Sequence, residues 1–255
     1  MIAPPASRIP SAVEELDQFV RRGDEDRWLS SRFAPAQVRE RLIAIYAVNH
    51  EIARVAGMVR EAALGDMRLA WWRSELDLVA QGHLPSSHPA LAVLYATAAQ
   101  AAPSLMAIAD ARAADMESAP FKTWSDLDRY VSRTGGLLMT EAAAACGAAL
   151  CEGFRERACL AWAYVGLLRA APLWTGRGRS FLPAGATVAD MLTRARAAYA
   201  DAKAHSAALP IEAFPAYGHV ALVPGYIRAL EQGRRETPQL GRKAMLIAAS
   251  ARGRI

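Results

Sequence analysis

Residues 37–79 most constrain the fold, because their apolar side chains recur with the spacing of an α-helix. In the first half the apolar positions alternate steps of four and three residues, with Asn49 in the same series, which places them on one side of a helix. These positions are Val38, Leu42, Ile45, Ile52, Ala56 and Val59. Gly65 and Asp66 interrupt the pattern, which restarts at Met67 and runs to Val79. The interruption predicts a second helix that doubles back, so the sequence predicts a helical hairpin.

Polar side chains inside this hairpin are its unusual feature. Asn49 occupies the apolar row, where an amide or a charge is costly unless it is hydrogen-bonded or paired. Charged or aromatic residues accompany it on the two helices: His50, Glu51, Arg54, Arg68 and Trp72. Either these side chains bond to one another and set the helix register, or they line a cavity. Trp71 and Trp72 are neighbours and face different directions, so we expect one of them in the core.

The rest of the chain also favours helices. Runs of valine and isoleucine are scarce, and no stretch alternates apolar and polar residues for long enough to predict a sheet. A chain of 255 residues, 53% of them hydrophobic, can bury a large core. We therefore expect an all-α, single-domain helical bundle. Its expected parts are an N-terminal segment with a short helix at 1–24, a helical domain at 25–235 and a basic C-terminal helix at 236–255.

Apolar periodicity and helix-stop residues predict the remaining helices. They are expected at residues 11–22, 26–33, 90–100, 105–116, 125–150, 154–173, 188–208, 225–234 and 238–251. Thr134, Gly135 and Gly136 interrupt the helix at 125–150, and paired glycines inside a helix indicate a kink or the close approach of a neighbour or ligand. Residues 209–224 are expected to form an apolar connection punctuated by prolines.

Charge and targeting signals exclude some classes of function. The net charge of +5 suits phosphate-bearing ligands or an anionic membrane surface. The basic residues are not interleaved with aromatic ones as in nucleic-acid-binding proteins, so we expect no nucleic acid as a partner. The first ten residues, MIAPPASRIP, lack the charged and then apolar pattern of a signal region, and no window approaches about 20 uninterrupted apolar residues. We expect a cytoplasmic protein, soluble or peripheral at the inner face of a bacterial membrane.

Cysteine and histidine positions predict no metal site. Cys146, Cys151 and Cys159 lack ligand spacing and are expected to be buried small apolar residues in a reducing compartment. Four histidines also lack ligand spacing and are expected at the surface or in loops: His83, His88, His205 and His219.

Four segments resemble those of a known family. They are AIYAVNHEIARV, MRLAWWRSEL, DLDRYVSRTGG and LLRAAPLWTGRGRSFLP, in this order within residues 26–183. Together they resemble the squalene/phytoene synthase family. The resemblance implies the all-helical isoprenoid synthase fold with a central cavity, in which that family joins two prenyl diphosphates head to head with the help of magnesium.

The magnesium-binding carboxylates of that family are missing at the matching positions. Mg²⁺ prefers oxygen ligands, and the family holds it with an aspartate pair on each of two facing helices. In this chain Ala53 and Gly57 stand in place of the first aspartate pair, and Ala170 and Trp174 stand in place of the second. The resemblance therefore implies no metal site, no catalytic residue and no cofactor, with magnesium retained only if an altered enzyme site exists.

The resemblance also indicates what forms the remaining cavity. Where the family has polar residues, this chain has Ala163 and Gly166. Tyr130, Gly135 and Gly136 lie in the matching segment DLDRYVSRTGG, which in that family presents residues to the central cavity. The expected cavity wall and polar network comprise Asn49, His50, Glu51, Ala53, Arg54, Gly57, Arg68, Trp72, Asp115, Tyr130, Gly135, Gly136, Ala163, Gly166, Arg169, Ala170 and Trp174.

Three arginines carry further predictions. Arg169 lies in an apolar helix, where it either snorkels at the helix end or forms a buried ion pair. Its candidate partners are Glu51, which we favour, Asp115 and Glu141. Arg177 and Arg179 lie in a loop with glycines, where they either bind phosphate or a phospholipid headgroup or are solvated.

Three segments narrow the resemblance to one branch of the family: NHEIARV, RAAPLW and LPIEAFPAY. This branch contains the mitochondrial complex I assembly factor 6 and its bacterial relatives. The resemblance implies a non-catalytic protein that assists assembly of respiratory complex I, with a complex I subunit or assembly intermediate as partner. Two alternatives stay open. One is a prenyl-diphosphate-binding transferase with an altered site, and the other is a carrier of isoprenoid or quinone lipid in the cavity.

Overall fold

The computed structural model describes residues 9–86 and 88–255, and all regular structure within them is helical. The α-helices of this described part are α1 (Ile9–Gly23), α2 (Glu25–Ser31), α3 (Ala36–Met58), α4 (Ala62–Ala80), α5 (Pro89–Thr97), α6 (Ala102–Ala111), α7 (Trp124–Val131), α8 (Leu137–Ala145), α9 (Glu152–Thr175), α10 (Val188–His205), α11 (Phe214–Tyr217), α12 (Val223–Glu231) and α13 (Gln239–Arg252). The predicted all-α fold is confirmed. Most predicted helix ends agree with the observed ones to within a few residues.

The predicted hairpin is formed by α3 and α4, but the chain turns earlier than predicted. Val59 has an extended backbone (φ −118°, ψ 151°) and ends α3, whereas Gly65 and Asp66 lie inside α4. A Cβ atom at the buried Gly65 would lie 2.4 Å from Sδ of Met116. The break predicted at Gly65 and Asp66 is therefore wrong, because the glycine allows close packing rather than a turn.

Two apolar clusters form the core. The first joins α1 with α3, α4, α5, α6 and α8, and it includes Leu42 and Leu105. The second joins α7 with α9, α10, α11, α12 and α13. Partly buried Trp28, Met116 and Leu150 pack against both clusters, so the two cores meet.

The glycine pair predicted to mark a kink lies in a π-helical turn. The hydroxyl of Thr123 accepts a hydrogen bond from the backbone N–H of Asp126 at 3.2 Å and caps α7. Ser132–Gly136 then forms the wider π-turn that joins α7 to α8, which ends at Ala145 instead of residue 150. Such turns often mark functional sites. The single long helix predicted here is therefore three segments.

The apolar connection at 209–224 is more regular than predicted. It folds into α11 between two 3₁₀ turns, Ile211–Ala213 and Gly218–Leu222. All residues from 213 to 223 are buried. A Cβ atom at Gly218 would lie 2.8 Å from the Phe214 ring and from Oγ of Ser30, so this position requires glycine for close packing with α2. Residues 213–223 of the connection are therefore part of the core.

No helix of the described chain is by itself both long and apolar enough to cross a membrane. Pro89–Thr97 and Ala99–Met116 satisfy these criteria of length and composition only as a pair, and they bend by 109° at the break between them. Leu91 and Leu105 of this pair are fully buried in the protein core.

Candidate functional site

A cavity of about 170 Å³ lies between α2, residues 112–116, α7, the π-turn and α9. Four of the predicted wall residues line it: Tyr130, Gly135, Ala163 and Gly166. A Cβ atom at Gly135 or at Gly166 would have no neighbouring atom within 4 Å, so both glycines face open space. The volume of 170 Å³ lies below the roughly 300–1,000 Å³ of usual small-molecule pockets.

A buried hydrogen-bonded group lies at one side of the cavity. The hydroxyl of Tyr130 donates to Oδ1 of Asp115 at 2.6 Å, and Nη1 of Arg112 donates to Oδ2 of Asp115 at 3.1 Å. The same Nη1 donates to the Tyr130 hydroxyl at 2.8 Å. Burial raises the pKa of Tyr130 well above its usual value, and Asp115 raises it further, so the phenol stays protonated. Asp115 and Tyr130 were predicted together with the cavity, and the structure brings them into contact.

The charged residues that line the cavity are arginines, and both were missed from the sequence. They are Arg27 and Arg112. Nη1 of Arg27 donates to Asp24 at 2.6 Å, and the Arg27 guanidinium lies 5.8 Å from the centroid of the Trp162 ring. Each has a carboxylate three residues away in sequence, Asp24 before Arg27 and Asp115 after Arg112. This spacing was the available signal. Burial raises the pKa of Cys159, another wall residue, to about 12, so its thiol is protonated at neutral pH. The expectation that all three cysteines are buried is confirmed for Cys159 but is wrong for Cys151, which is exposed, and Cys146 is only partly buried.

The polar row around Asn49 lies outside the residues that line this cavity. The ring of His50 packs edge-on against Phe19 of α1 with the centroids 5.0 Å apart, and burial lowers the pKa of this histidine. Glu51 pairs with Arg54 at 3.4 Å, and Asn49 is buried. Glu51 lines a separate groove of about 590 Å³ between α1 and the start of α5. For Glu51 and Arg54, the structure supports the interpretation that the polar residues bond to one another.

The predicted α4 residues also lie away from the cavity wall. Arg68 is exposed. Trp72 is 4% exposed and Trp71 is 40% exposed, so the prediction that one of these neighbours is buried is confirmed. The Trp72 ring packs edge-on against His88, with the centroids 5.0 Å apart. The π-turn residue Gly136 differs from Gly135, because its Cβ position faces Cys159 at 3.7 Å.

The predicted ion pair of Arg169 is found with different partners. Its Nη1 lies 3.3 Å from Oδ2 of Asp26, and its Nη2 lies 2.9 Å from Oε1 of Glu236. Its guanidinium also lies 3.9 Å from the ring centroid of Tyr226. The three candidate partners are engaged elsewhere: Glu51 with Arg54, Asp115 with Arg112, and Glu141 with the hydroxyl of Ser104. The predicted pairing with Glu51 is therefore wrong.

Asp26 is the buried centre of this group. It accepts hydrogen bonds from Nη1 of Arg242 at 2.7 Å and from the hydroxyl of Tyr226 at 2.6 Å, in addition to Arg169. Arg242 is itself buried and also pairs with Glu25. We call Asp26, Arg169, Tyr226 and Arg242 the Asp26 cluster. It ties α2, α9, α12 and α13 together.

One histidine departs from its prediction. His219 was expected at the surface or in a loop, but it is 1% exposed and its ring lies edge-on to Trp162 with the centroids 4.7 Å apart. Neither ring nitrogen has a hydrogen-bonding partner among the described residues. Burial lowers the pKa of His219 well below its usual value, and the nearby Arg27 guanidinium lowers it further. The ring is therefore neutral at physiological pH.

Sequence comparison decides the family. The sequence model of the protein family described as squalene/phytoene synthase matches residues 20–187 of this chain. The chain belongs to the squalene/phytoene synthase family. The fold of this family member resembles that of a solved dehydrosqualene synthase bound to a ligand, with a TM-score of 0.78 and 12% identity over 97% of this chain and 98% of the other. It also resembles the squalene synthase HpnC from Alicyclobacillus acidocaldarius, with a TM-score of 0.67 and 18% identity over 98% and 97% of the two chains.

Relatives within the squalene/phytoene synthase family include proteins named NADH dehydrogenase (ubiquinone) complex I, assembly factor 6. The protein from Bos taurus is 23% identical over 91% of this chain and 78% of its own length. The protein from Mus musculus is 23% identical over 95% of this chain and 81% of its own length.

This member of the squalene/phytoene synthase family does not fit a magnesium cluster at the matching positions. Ala53 and Gly57 on α3 and Ala170 and Trp174 on α9 have no side-chain oxygen. A Cβ atom at Gly57 would lie 3.5 Å from Nη1 of Arg177, so a cation already occupies the space beside this position. Among the described residues, no group of three or more His, Cys, Asp or Glu side chains could hold a metal ion.

Arg177 and Arg179 follow α9 and bond to the end of α3. Nη1 of Arg177 donates to the carbonyl of Ala56 at 2.9 Å. Nη1 of Arg179 donates to the same carbonyl at 3.3 Å and to the carbonyl of Asp115 at 2.8 Å. Carbonyls at a helix C-terminus carry partial negative charge, so the guanidiniums stabilise this end of α3. Both arginines have protein partners, and phosphate binding by them stays a prediction.

Restoring one aspartate pair is expected not to restore magnesium binding. In a variant with Ala53→Asp and Gly57→Asp, the new carboxylate at 57 would pair with Arg177. The unfolding midpoint should then be the same with and without millimolar Mg²⁺. A bound ion at 100 times its Kd would stabilise the folded state by about 2.7 kcal/mol, which thermal or urea unfolding would detect. Adding Arg177→Ala removes the competing cation and serves as the control. A Mg²⁺-dependent rise of the unfolding midpoint in the double aspartate variant that retains Arg177 would contradict the prediction.

Proposed function

We propose that this protein is a non-catalytic family member that assists the assembly of respiratory complex I and needs no cofactor. The observation that carries the proposal is the guanidinium of Arg177 beside Gly57, where the family resemblance places a magnesium-binding carboxylate. Metal ions at such sites supply several kcal/mol of charge stabilisation to a departing diphosphate. The residues present at these positions lack the oxygen ligands that this stabilisation requires.

Two further observations support this proposal over the alternatives. The relatives named as complex I assembly factor 6 align with most of this chain and with most of their own length. The cavity of about 170 Å³ is small for the paired prenyl chains of a synthase or for a carried quinone. We propose a complex I subunit or assembly intermediate as the partner, and the cytoplasm or the inner face of the bacterial membrane as the place of action.

Deletion in the source organism tests the proposal. We expect the deletion strain to lose assembled complex I on native gels, while its isoprenoid profile stays normal. Complementation with the parent gene should restore the complex. Normal complex I together with a missing squalene, phytoene or related lipid would contradict the proposal and support the altered enzyme.

A cavity-filling variant separates a surface function from lipid carriage. Gly166 faces open space within α9, so Gly166→Leu would place its side chain in the cavity without a backbone clash. We expect this variant to restore complex I in the deletion strain as well as the parent protein does. Gly166→Ala, which adds one methyl group at the same position, is the matched control. If Gly166→Leu is folded and abundant but fails where Gly166→Ala succeeds, an occupied cavity is required and the carrier alternative is favoured.

A further inference from the structure

Helix α13 has two apolar faces, and only one of them is covered by the protein. Its inner face contributes Arg242, Leu246 and Ala249 to the buried interior. On its outer face, Leu240 is 79% exposed and Ile247 is 61% exposed. Exposed alanines continue the same stripe at helical spacing: Ala244, Ala248 and Ala251. We call these five residues the α13 stripe.

Cations border the α13 stripe on both sides. At 3.6 residues per turn, Lys243 lies along one edge of the stripe and Arg252 along the other, and both are exposed. The sequence of α13 contains no aspartate or glutamate. Its remaining cation, Arg242, faces inward and is paired with Asp26 and Glu25. The solvent-facing charge of the helix is therefore entirely positive.

A groove beside the α13 stripe adds to this surface. It has a volume of about 350 Å³ and lies between α13, α10 and the turn that precedes α12. Ala244, Ala248, Tyr199 and Pro224 contribute to its wall. Arg252, at the edge of the stripe, is its charged lining residue. An apolar groove with a cation at its rim suits an acyl chain with an anionic headgroup.

We propose that the α13 stripe binds the surface of an anionic lipid bilayer. A helix with protruding apolar side chains and flanking lysine and arginine lies in the plane of the interface, with its apolar face in the headgroup and acyl boundary. Lys243 and Arg252 can extend from the edges of the stripe to lipid phosphates. A bilayer accepts protruding side chains such as Leu240 without a shaped partner pocket. The positive charge of the helix selects an anionic lipid surface over a neutral one.

The exposed apolar residues of α4 provide an internal comparison. Leu64, Met67 and Trp71 also lie at helical spacing and are exposed. Both signs of charge accompany them, however, with Asp66 and Arg68 on either side of Met67. The α4 surface therefore lacks the uniform positive charge of α13, and its variants serve as matched controls.

Vesicle co-sedimentation of the purified full chain tests the proposal. We expect binding to vesicles that contain phosphatidylglycerol, little binding to pure phosphatidylcholine, and weaker binding at high salt. The double variant Lys243→Gln and Arg252→Gln should weaken binding by about fivefold per cation. The double variant Leu240→Ser and Ile247→Ser should abolish it. Because both side chains are largely exposed, this variant should fold normally by circular dichroism and keep the unfolding midpoint of the parent protein.

The control is the double variant Leu64→Ser and Met67→Ser on α4, which should bind vesicles as the parent does. The proposal is overturned if the parent fails to bind anionic vesicles at low salt, or if the α4 and α13 variants lose binding equally. It is also overturned if the serine variant of α13 turns a parent dimer into a monomer in solution, since a second copy would then cover the stripe. These outcomes do not depend on complex I, so they are independent of the proposed function.

Discussion

Replacing Asp26 by alanine is expected to lower the free energy of unfolding by about 3–5 kcal/mol, because it removes the buried carboxylate that Arg242 and Arg169 share. Asp26 is buried and accepts hydrogen bonds from Arg242 at 2.7 Å, Tyr226 at 2.6 Å and Arg169 at 3.3 Å. Arg169 keeps Glu236 as a partner, and Arg242 keeps Glu25. Most of the lost free energy of unfolding should therefore come from Nη1 of Arg242, which loses its buried acceptor on Asp26.

Urea unfolding at neutral pH measures this loss. The matched control is Asp110→Ala, which breaks the exposed pair of Asp110 with Arg73 at 2.8 Å and should cost about 0–1 kcal/mol. Combining Asp26→Ala with Arg242→Met removes both charges and should recover part of the stability. If Asp26→Ala costs no more than Asp110→Ala, the Asp26 cluster does not stabilise the junction of α2 with α13.

Stability is expected to fall as the pH is lowered below about 6.5, the usual pKa of histidine. Burial lowers the pKa of His219, His50 and His88 in the folded protein. Below 6.5 the unfolded chain therefore binds more protons than the folded one, so each such histidine stabilises the protein fully at higher pH. Each contribution is lost as the pH falls towards the folded-state pKa, by about 1.4 kcal/mol per pH unit. His219, the most deeply buried of the three, should contribute over the widest range.

The variant His219→Phe isolates this contribution. Phenylalanine keeps an aromatic ring against Trp162 and removes two ring nitrogens that lack partners among the described residues. Urea unfolding between pH 5 and pH 7 should show a shallower loss of stability than in the parent protein. The same substitution at His83, which is exposed, is the control and should keep the parent profile. The assignment of this pH dependence to His219 would be contradicted if the stability of the parent protein did not change between pH 5 and pH 7. It would also be contradicted if His219→Phe left the dependence of stability on pH unchanged.

Local pattern was sufficient for much of the fold. The alternating spacing of apolar residues through α3 predicted the core helix and its hairpin with α4, because helix periodicity is a property of neighbouring residues. The same reasoning predicted that one of Trp71 and Trp72 is buried. It failed at Gly65, since a glycine signals both a turn and close packing, and only the position of Met116 distinguishes the two.

The sequence by itself determined the all-α class, the family, and the absence of carboxylates at Ala53, Gly57, Ala170 and Trp174, because these depend on residue type and spacing along the chain. Only the tertiary structure decided where polar side chains find partners. Arg169 lies 143 residues from Asp26 in sequence, and Arg242 lies 216 residues from it. No local pattern encodes such distant pairings, because they arise from the packing of whole helices. The same packing buries His219 and leaves the α13 stripe exposed.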